Sequence, residues 1–280
     1  MTPESPTCGR AEVPELPEVE IASRNLSAWT AGRVIVAART PDLARFEGDA
    51  SDLAGRRVNS WRRVGKYLVA ELEGGLAVLS HLGMTGQWIA DAPPERAHQR
   101  VVLVLEGAGP QTVSLIDPRR FGWTWILRSA DVASHPRLVD LGPDPLSGDL
   151  DLEGFQSAIG QGKTALKSRL MNQRVIAGLG NIAISEIGWR ARVHPHRACE
   201  SIGPEEWARL WSATREHLEY VLEVEDGEEI EYQSSAGAKN PFVCYGREGE
   251  PCSRCPTLLD RLTLAGRVTF YCPTCQEEAP

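Results

Sequence analysis

The chain is poor in the features that would commit it to a membrane or to export. Its 280 residues hold no run of about 18 apolar residues, so no bilayer-spanning helix and no membrane partner are expected. Residues 1–13 (MTPESPTCGRAEV) contain no apolar core of a secretory signal, which predicts a reducing, cytoplasmic setting. There is no internal repeat and no long low-complexity segment. Basic residues are also in deficit, 30 against 38 acidic, for a net charge of −8. Taken alone, that total argues against a partner as anionic as nucleic acid. What remains, 42% hydrophobic and 24% charged, is an ordinary globular composition, with length for two domains.

The charge is segregated. Residues 200–231 carry eleven acids against Arg209 and Arg215, a local −9, which leaves +1 for everything else. Residues 56–66 hold Arg56, Arg57, Arg62, Arg63 and Lys66 with no acid, and 163–197 hold seven bases against Glu186 alone. A charge run is ordinarily a solvated face, so these stretches are candidates for a partner surface and nothing more.

Pattern divides the chain. Pro17, early acids Glu18 and Glu20, and Gly32 bracket a helix ending near Thr30. From 33 to 128, RVIVAA, KYLVAEL, LAVLSHL, RVVLVLEG, TVSLID and GWTWILR read as short strands of an antiparallel β-sandwich. HPRLVDLGPDPLSGDLD (135–151) reads as a linker. KTALKSRLMNQ, NIAISEIGWRA and PEEWARLWSATREHLEYVLE then have helical spacing, and the last carries much of the acidic run. The expected organisation is an α+β protein: a leader (1–13), a β-sandwich domain (14–134), a linker (135–151), a helical domain (152–240) and a cysteine module (241–280).

Of seven cysteines, Cys252, Cys255, Cys272 and Cys275 fall as C-x2-C-x16-C-x2-C. Two such knuckles supply four thiolates to a tetrahedral zinc, and four sulfur ligands leave no open position, so one structural Zn2+ is expected. Cys8, Cys199 and Cys244 are bystanders. DRLTLAGRVTFY between the knuckles reads as a β-hairpin with Arg267 at its tip.

PELPEVE (Pro14–Glu20) is chemically unusual if Pro14 is the true N-terminus. An α-amino group titrates near 8, and a secondary amine attacking a sugar carbon gives an iminium ion directly, with Glu15 beside it to move protons. The plain alternative is a proline-punctuated helix start.

PELPEVE, GKYLVAEL, SHLGMTG, DPRRFG, AGLGNI followed by HP, and YGREGEPCSRC with RVTFYCPTCQ occur in this order, and together resemble the formamidopyrimidine-DNA glycosylase/endonuclease VIII family of bacterial oxidised-base repair enzymes. The resemblance covers about Pro14 to Gln276. It implies a β-sandwich followed by a helix–two-turn–helix domain and a zinc hairpin. The implied activity is a bifunctional glycosylase/AP lyase on damaged duplex DNA, acting as a monomer associated with the nucleoid. By residue, it implies Pro14 as nucleophile, Glu15 as acid/base, Glu18 as a supporting carboxylate, Lys66 as an aid to β-elimination, and Arg267 as a grip on the lesion phosphates, linked to δ-elimination. Met84, Arg119 and Phe121 would fill the void left by an extruded nucleotide. His81, His98, Lys167 and Asn181 would contact the backbone or pocket.

Two departures qualify this. With thirteen residues ahead of it, the Pro14 nitrogen is an amide and cannot attack; Val13 offers a GTG initiator, so the working protein is expected to begin at Pro14. The segment LEVEDGEEIEYQSSAGAKNPFVCYGR does not resemble the purine-covering lid of 8-oxoguanine-specific members, which leaves an oxidised-pyrimidine preference open. Ala183 also stands where tyrosine is usual after AGLGNI. A non-catalytic damage-binding protein and a zinc-ribbon adaptor are the alternatives from other classes.

Overall fold

A computed structural model describes residues 14–160, 162–225, 240–264 and 266–278. The leader, and most of the segment compared with a purine lid, therefore lie outside the described residues.

Helix α1 (Leu16–Thr30) starts at Glu15 and Pro17 and closes against Gly32 in the left-handed region. Strands β1 (Val34–Arg39), β2 (Phe46–Glu47), β3 (Arg56–Val64), β4 (Tyr67–Leu72), β5 (Leu76–His81), β6 (Gln87–Ala90), β7 (Gln99–Leu105), β8 (Thr112–Ile116) and β9 (Trp123–Arg128) follow, in the spatial order 2-9-5-4-3-1-7-8-6. Strands β1 and β3 share only two register pairs, at Val34–Arg57 and Ile35–Arg56, and the sheet folds over there into two layers. The pairing is antiparallel except for the two-residue β2–β9 contact, which is parallel.

Three strands had no clear signal in the sequence, of which β2 is only two residues long. Strand β3 is masked by its four arginines, and a bulge between Val58 and Ser60 breaks the alternation of its buried residues Val58 and Trp61. Strand β6 is only four residues long.

The irregular 129–151 segment leads to α2 (Leu152–Ile159), α3 (Leu166–Leu170), α4 (Asn181–Ala191) and α5 (Pro204–Val224). Helix α3 is shorter than its periodicity predicts, because Ala165 is extended and bridged to Ala198 while the Leu166 N–H is donated to the Arg197 carbonyl. Strands β10 (Asp260–Leu264) and β11 (Arg267–Tyr271) form the expected hairpin.

Helix α1 joins the two cores. Val19, Ala22 and Leu26 pack inside the sandwich, whereas Leu16 is wholly buried among Phe155, Leu170, Leu179 and Ile184 of the helical domain. The first turn of α1 therefore sits at the seam between the domains. Truncating Leu16 to Ala would cost about 2–5 kcal/mol and would act at that seam.

Candidate active site and nucleic-acid interface

Pro14 is buried immediately before α1. Glu15, 4% exposed, extends its carboxylate onto the start of α4, where Oε2 accepts from Gly180 N (3.0 Å) and Ala183 N (3.0 Å) and Oε1 from Ile182 N (2.9 Å). A helix N-terminus leaves such N–H groups unpaired and favours negative charge. Leu16 N donates to the Gly178 carbonyl at 3.0 Å, completing the dock.

The AGLGN glycines permit this approach. A Cβ on Gly178 would lie 2.4 Å from Leu16 Cδ1, and Gly178 has φ +94°. A Cβ on Gly180 would lie 2.2 Å from Glu15 Oε1 and 2.7 Å from Lys66 Nζ. The carboxylate and the amine thus meet over one bare α-carbon. Gln173, which the sequence did not single out, fixes this turn by accepting from Gly178 N and donating to the Leu179 carbonyl.

Lys66 reaches the site from the turn between β3 and β4. Gly65 takes φ +56° there, and a Cβ on it would stand 3.2 Å from Ala177 Cβ. Burial holds the Lys66 amine below its ordinary range, Glu15 and Glu18 oppose that, and Arg267 adds to it. Glu18 accepts from Glu15 N at 2.8 Å. Its carboxyl is pushed up to about 7, by burial first and by the Glu15 charge second. The neighbourhood therefore contains one carboxyl and one amine whose proton affinities have been drawn toward neutrality, a pattern common at sites of proton transfer.

His81 ends β5. Its Nδ1 accepts from Gly83 N at 3.1 Å, which assigns the proton to Nε2. Burial and then the Lys66 and Arg137 charges lower it to about 4, so it is a neutral donor at pH 7. Lys66, Tyr67 and His81 line a recess of about 260 Å³ that continues across the seam to Arg137, Gln173 and Arg174.

The SHLGMTG and DPRRFG loops lie against each other. A Cβ on Gly83 would be 2.4 Å from Gly122 N. Asp117, 1% exposed, accepts from Thr85 Oγ1 (2.8 Å) and Gly122 N (2.7 Å), and Arg119 N is donated to Thr85 Oγ1. This brings half-buried Met84, exposed Arg119 and Phe121 to one rim. The Arg119 guanidinium stands 5.1 Å over the Phe121 ring, which is 37% exposed. His98 is exposed nearby, with φ +67°, and its carbonyl accepts from Asp117 N. Asp117 organises this rim, although only its place inside DPRRFG could have suggested so.

Lys167, which the resemblance sets against the backbone or pocket, lies between the helical domain and the zinc hairpin. It is fully buried, and its Nζ donates to Asn181 Oδ1 (2.8 Å), to Thr269 Oγ1 and to the Arg267 and Val268 carbonyls. Burial first, then the Arg267 charge, lower it to about 8. Asn181 Nδ2 also donates to the Val268 carbonyl. Both side chains pin the zinc hairpin to the helical domain and leave Arg267 exposed at its tip.

The basic stretches are likewise largely consumed by the fold. Arg63 pairs with Glu20 and Asp144, Arg57 donates to the Gly32 carbonyl, Arg62 pairs with Glu71, and Arg197 with Glu206. Lys66 is the member of the first stretch that reaches the site.

The sulfurs of Cys252, Cys255, Cys272 and Cys275 lie within 4.8 Å of one another. Three of their separations are 4.0, 3.5 and 3.6 Å, close to the ~3.8 Å edge of a tetrahedron with Zn–S bonds of about 2.3 Å. Arg254 N and Cys275 N donate back to Cys252 and Cys272 sulfurs, as knuckles do, and Trp189 Nε1 donates to Cys252 Sγ. The donor set fits zinc. Cys199 is buried in the helical-domain core, Cys244 is buried in the cluster that also holds Cys252 and Cys272, and Cys8 is outside the described residues.

Residues 13–124 match the formamidopyrimidine-DNA glycosylase N-terminal domain, 141–233 its H2TH domain, and 249–277 the zinc finger found in FPG and IleRS. Formamidopyrimidine-DNA glycosylase of Thermus thermophilus is 39% identical over 96% of this chain and 100% of its own. That of Herpetosiphon aurantiacus is 36% identical over 94% and 100%. The crystal structure of the Thermus thermophilus MutM (Fpg) protein superposes with a TM-score of 0.82 at 39% identity, covering 95% of this chain and 100% of that one. A Lactococcus lactis Fpg complex with DNA containing N7-benzyl-Fapy-dG gives a TM-score of 0.84 at 28% identity, with 95% and 100% coverage. The finger match and the four convergent sulfurs together establish one structural zinc in this chain.

Proposed function

We propose the following reaction for this chain, which belongs to the formamidopyrimidine-DNA glycosylase family. It removes oxidised bases from duplex DNA and cleaves the abasic strand that results. The observation that carries the site assignment is the meeting of Glu15 and Lys66 over Gly180, directly after Pro14.

The Pro14 amine attacks C1′ as the bond to the damaged base breaks. Glu15 serves as acid/base for ring opening and base loss. The iminium ion draws electrons from C2′, so loss of a C2′ proton expels the 3′ phosphate; Lys66 assists that transfer, and Arg267 holds phosphate for the second elimination. His81, as a neutral Nε2–H donor, and exposed His98 bind the strand without reading its sequence. Met84, Arg119 and Phe121 occupy the vacated stack. Lys167 and Asn181 act one step removed, by holding the hairpin that presents Arg267.

The proposed division is a sandwich over 14–134, a linker over 135–151, a helical domain over 152–240 and a zinc module over 241–280, with the working protein beginning at Pro14. An amide nitrogen cannot form the iminium ion, and the family match starts at residue 13. A monomer in the bacterial cytoplasm, bound to the nucleoid, suits this role. A Lactococcus lactis Fpg has also been solved with oxidised-pyrimidine DNA, at a TM-score of 0.83 and 28% identity, so both base classes belong in the test. Duplexes carrying one formamidopyrimidine, 8-oxoguanine or oxidised pyrimidine are incubated with protein starting at Pro14. Nicking at the lesion in at least one, and none in undamaged duplex, is expected. No nicking of any of them would leave a binding protein.

A further inference from the structure

We propose that the Asp42–Arg45 segment is a brace for the Phe121 wedge, so that Asp42 and Arg45 are positioning residues for nucleotide extrusion. This rests on the reading of Phe121 as a wedge.

Four observations converge on it. The Arg45 guanidinium stands 5.4 Å over the Phe121 ring and 5.8 Å over the Trp123 ring, and its Nη1 donates to the Phe121 carbonyl at 3.3 Å. With Arg119 at 5.1 Å, the exposed ring is flanked by two cations. Asp42 then ties the two loops together. It pairs with Arg120 at 3.0 Å, next to Phe121, and with largely buried Arg100 at 3.7 Å, while accepting from Ala44 N at 3.0 Å. Arg100 also donates to the Ala44 carbonyl.

The backbone follows the same course. Thr124 N donates to the Arg45 carbonyl at 3.1 Å, and β2 pairs in parallel with β9 at Phe46–Thr124 and Glu47–Trp125. Gly48 allows the close approach, since a Cβ there would lie 2.8 Å from Ile126 Cβ. Arg45 and Arg120, on the two apposed loops, both take φ +57°, a conformation uncommon for residues other than glycine. Strain of this kind persists where surrounding contacts over-determine it, and it clusters at functional sites.

An aromatic ring that must displace a stacked nucleotide gains by being held in place beforehand, because ordering it during extrusion would cost free energy. Arg45 stacked on both rings and bonded to the wedge's own carbonyl supplies that order. Asp42 fixes the loop's far side through Arg120.

The test uses the full chain and needs no chemistry. A duplex with a tetrahydrofuran abasic analogue beside 2-aminopurine is titrated with protein, with fluorescence reporting unstacking and anisotropy reporting affinity. The wild type is expected to raise fluorescence several-fold. Arg45→Ala and Asp42→Asn should each lose more than half of that rise at saturating protein while affinity changes less than threefold. Arg45→Lys, which keeps charge without a planar stack, should behave like Arg45→Ala. Full fluorescence from the saturated alanine variant would overturn the brace. So would an affinity loss that lysine restores, since that marks a phosphate contact. If wild-type protein binds and gives no rise, the wedge reading itself falls, and the brace with it.

Discussion

Glu15 holds the seam together as well as facing the chemistry, and one substitution reads both duties. Three N–H donors of the α4 N-terminus end on its carboxylate. Glu15→Gln keeps the shape and replaces one acceptor with a donor that meets N–H groups. Base excision should fall by about 10²–10⁴, the range of a lost acid/base. Stability should fall by about 1.5–3 kcal/mol, from hydrogen bonds to a charged group, read from denaturant unfolding. Unchanged excision would remove Glu15 from the reaction. His81 gives a prediction in pH. Its native value of about 4 lies below the unfolded value of 6.5, so the unfolded chain binds the proton more readily between them. Its contribution is complete above pH 6.5 and lost as pH falls toward 4, and a His81→Gln melting profile should be flatter there. Glu18 acts with the opposite sign. Raised to about 7, it contributes fully below pH 4.5 and loses that contribution as pH rises through 7.

At the scale of elements, the zinc hairpin depends on α3 and α4 as much as on its metal. Lys167→Met should leave zinc content unchanged, since no cysteine is touched, and loosen β11 from its dock. Faster amide exchange in 260–271, with zinc still at one per chain, is the expected result. Protection equal to wild type would show that the amine is dispensable. Chelating the zinc should instead release the hairpin and lower DNA affinity together. Legibility in the sequence varied with range. Helices α1, α4 and α5 were readable from local periodicity and stops, and the cysteine spacing from its regularity. The tasks of Lys167 and Glu15 were not readable locally, because the hairpin partners of the first lie 100–102 residues away and the partners of the second 165–168. Strand β3 was hidden by arginines whose partners, Glu20, Glu71 and Asp144, belong to other elements.

At the scale of the molecule, the net charge of −8 describes little of the binding face. Exposed Glu205, Glu216, Glu219 and Glu223 lie on α5, whose Trp207, Leu210, His217 and Leu218 are buried against its neighbours. Many basic residues are spent internally. Lys66, Arg119 and Arg267 are the cations that the proposed reaction sets against the strand. Log affinity against log salt should have a slope of roughly −3, at about −0.9 per phosphate neutralised. A slope near zero would exclude a phosphate-tracking interface. The central claim is that the Pro14 nitrogen becomes covalently bound to the sugar. Borohydride reduction of protein starting at Pro14 on abasic-site duplex tests it most directly, with peptide mass mapping of the adduct. The account predicts an adduct on the N-terminal peptide, absent in the chain that retains residues 1–13. An adduct mapping to Lys66 or to any other amine, or one formed equally well with the leader attached, would contradict it.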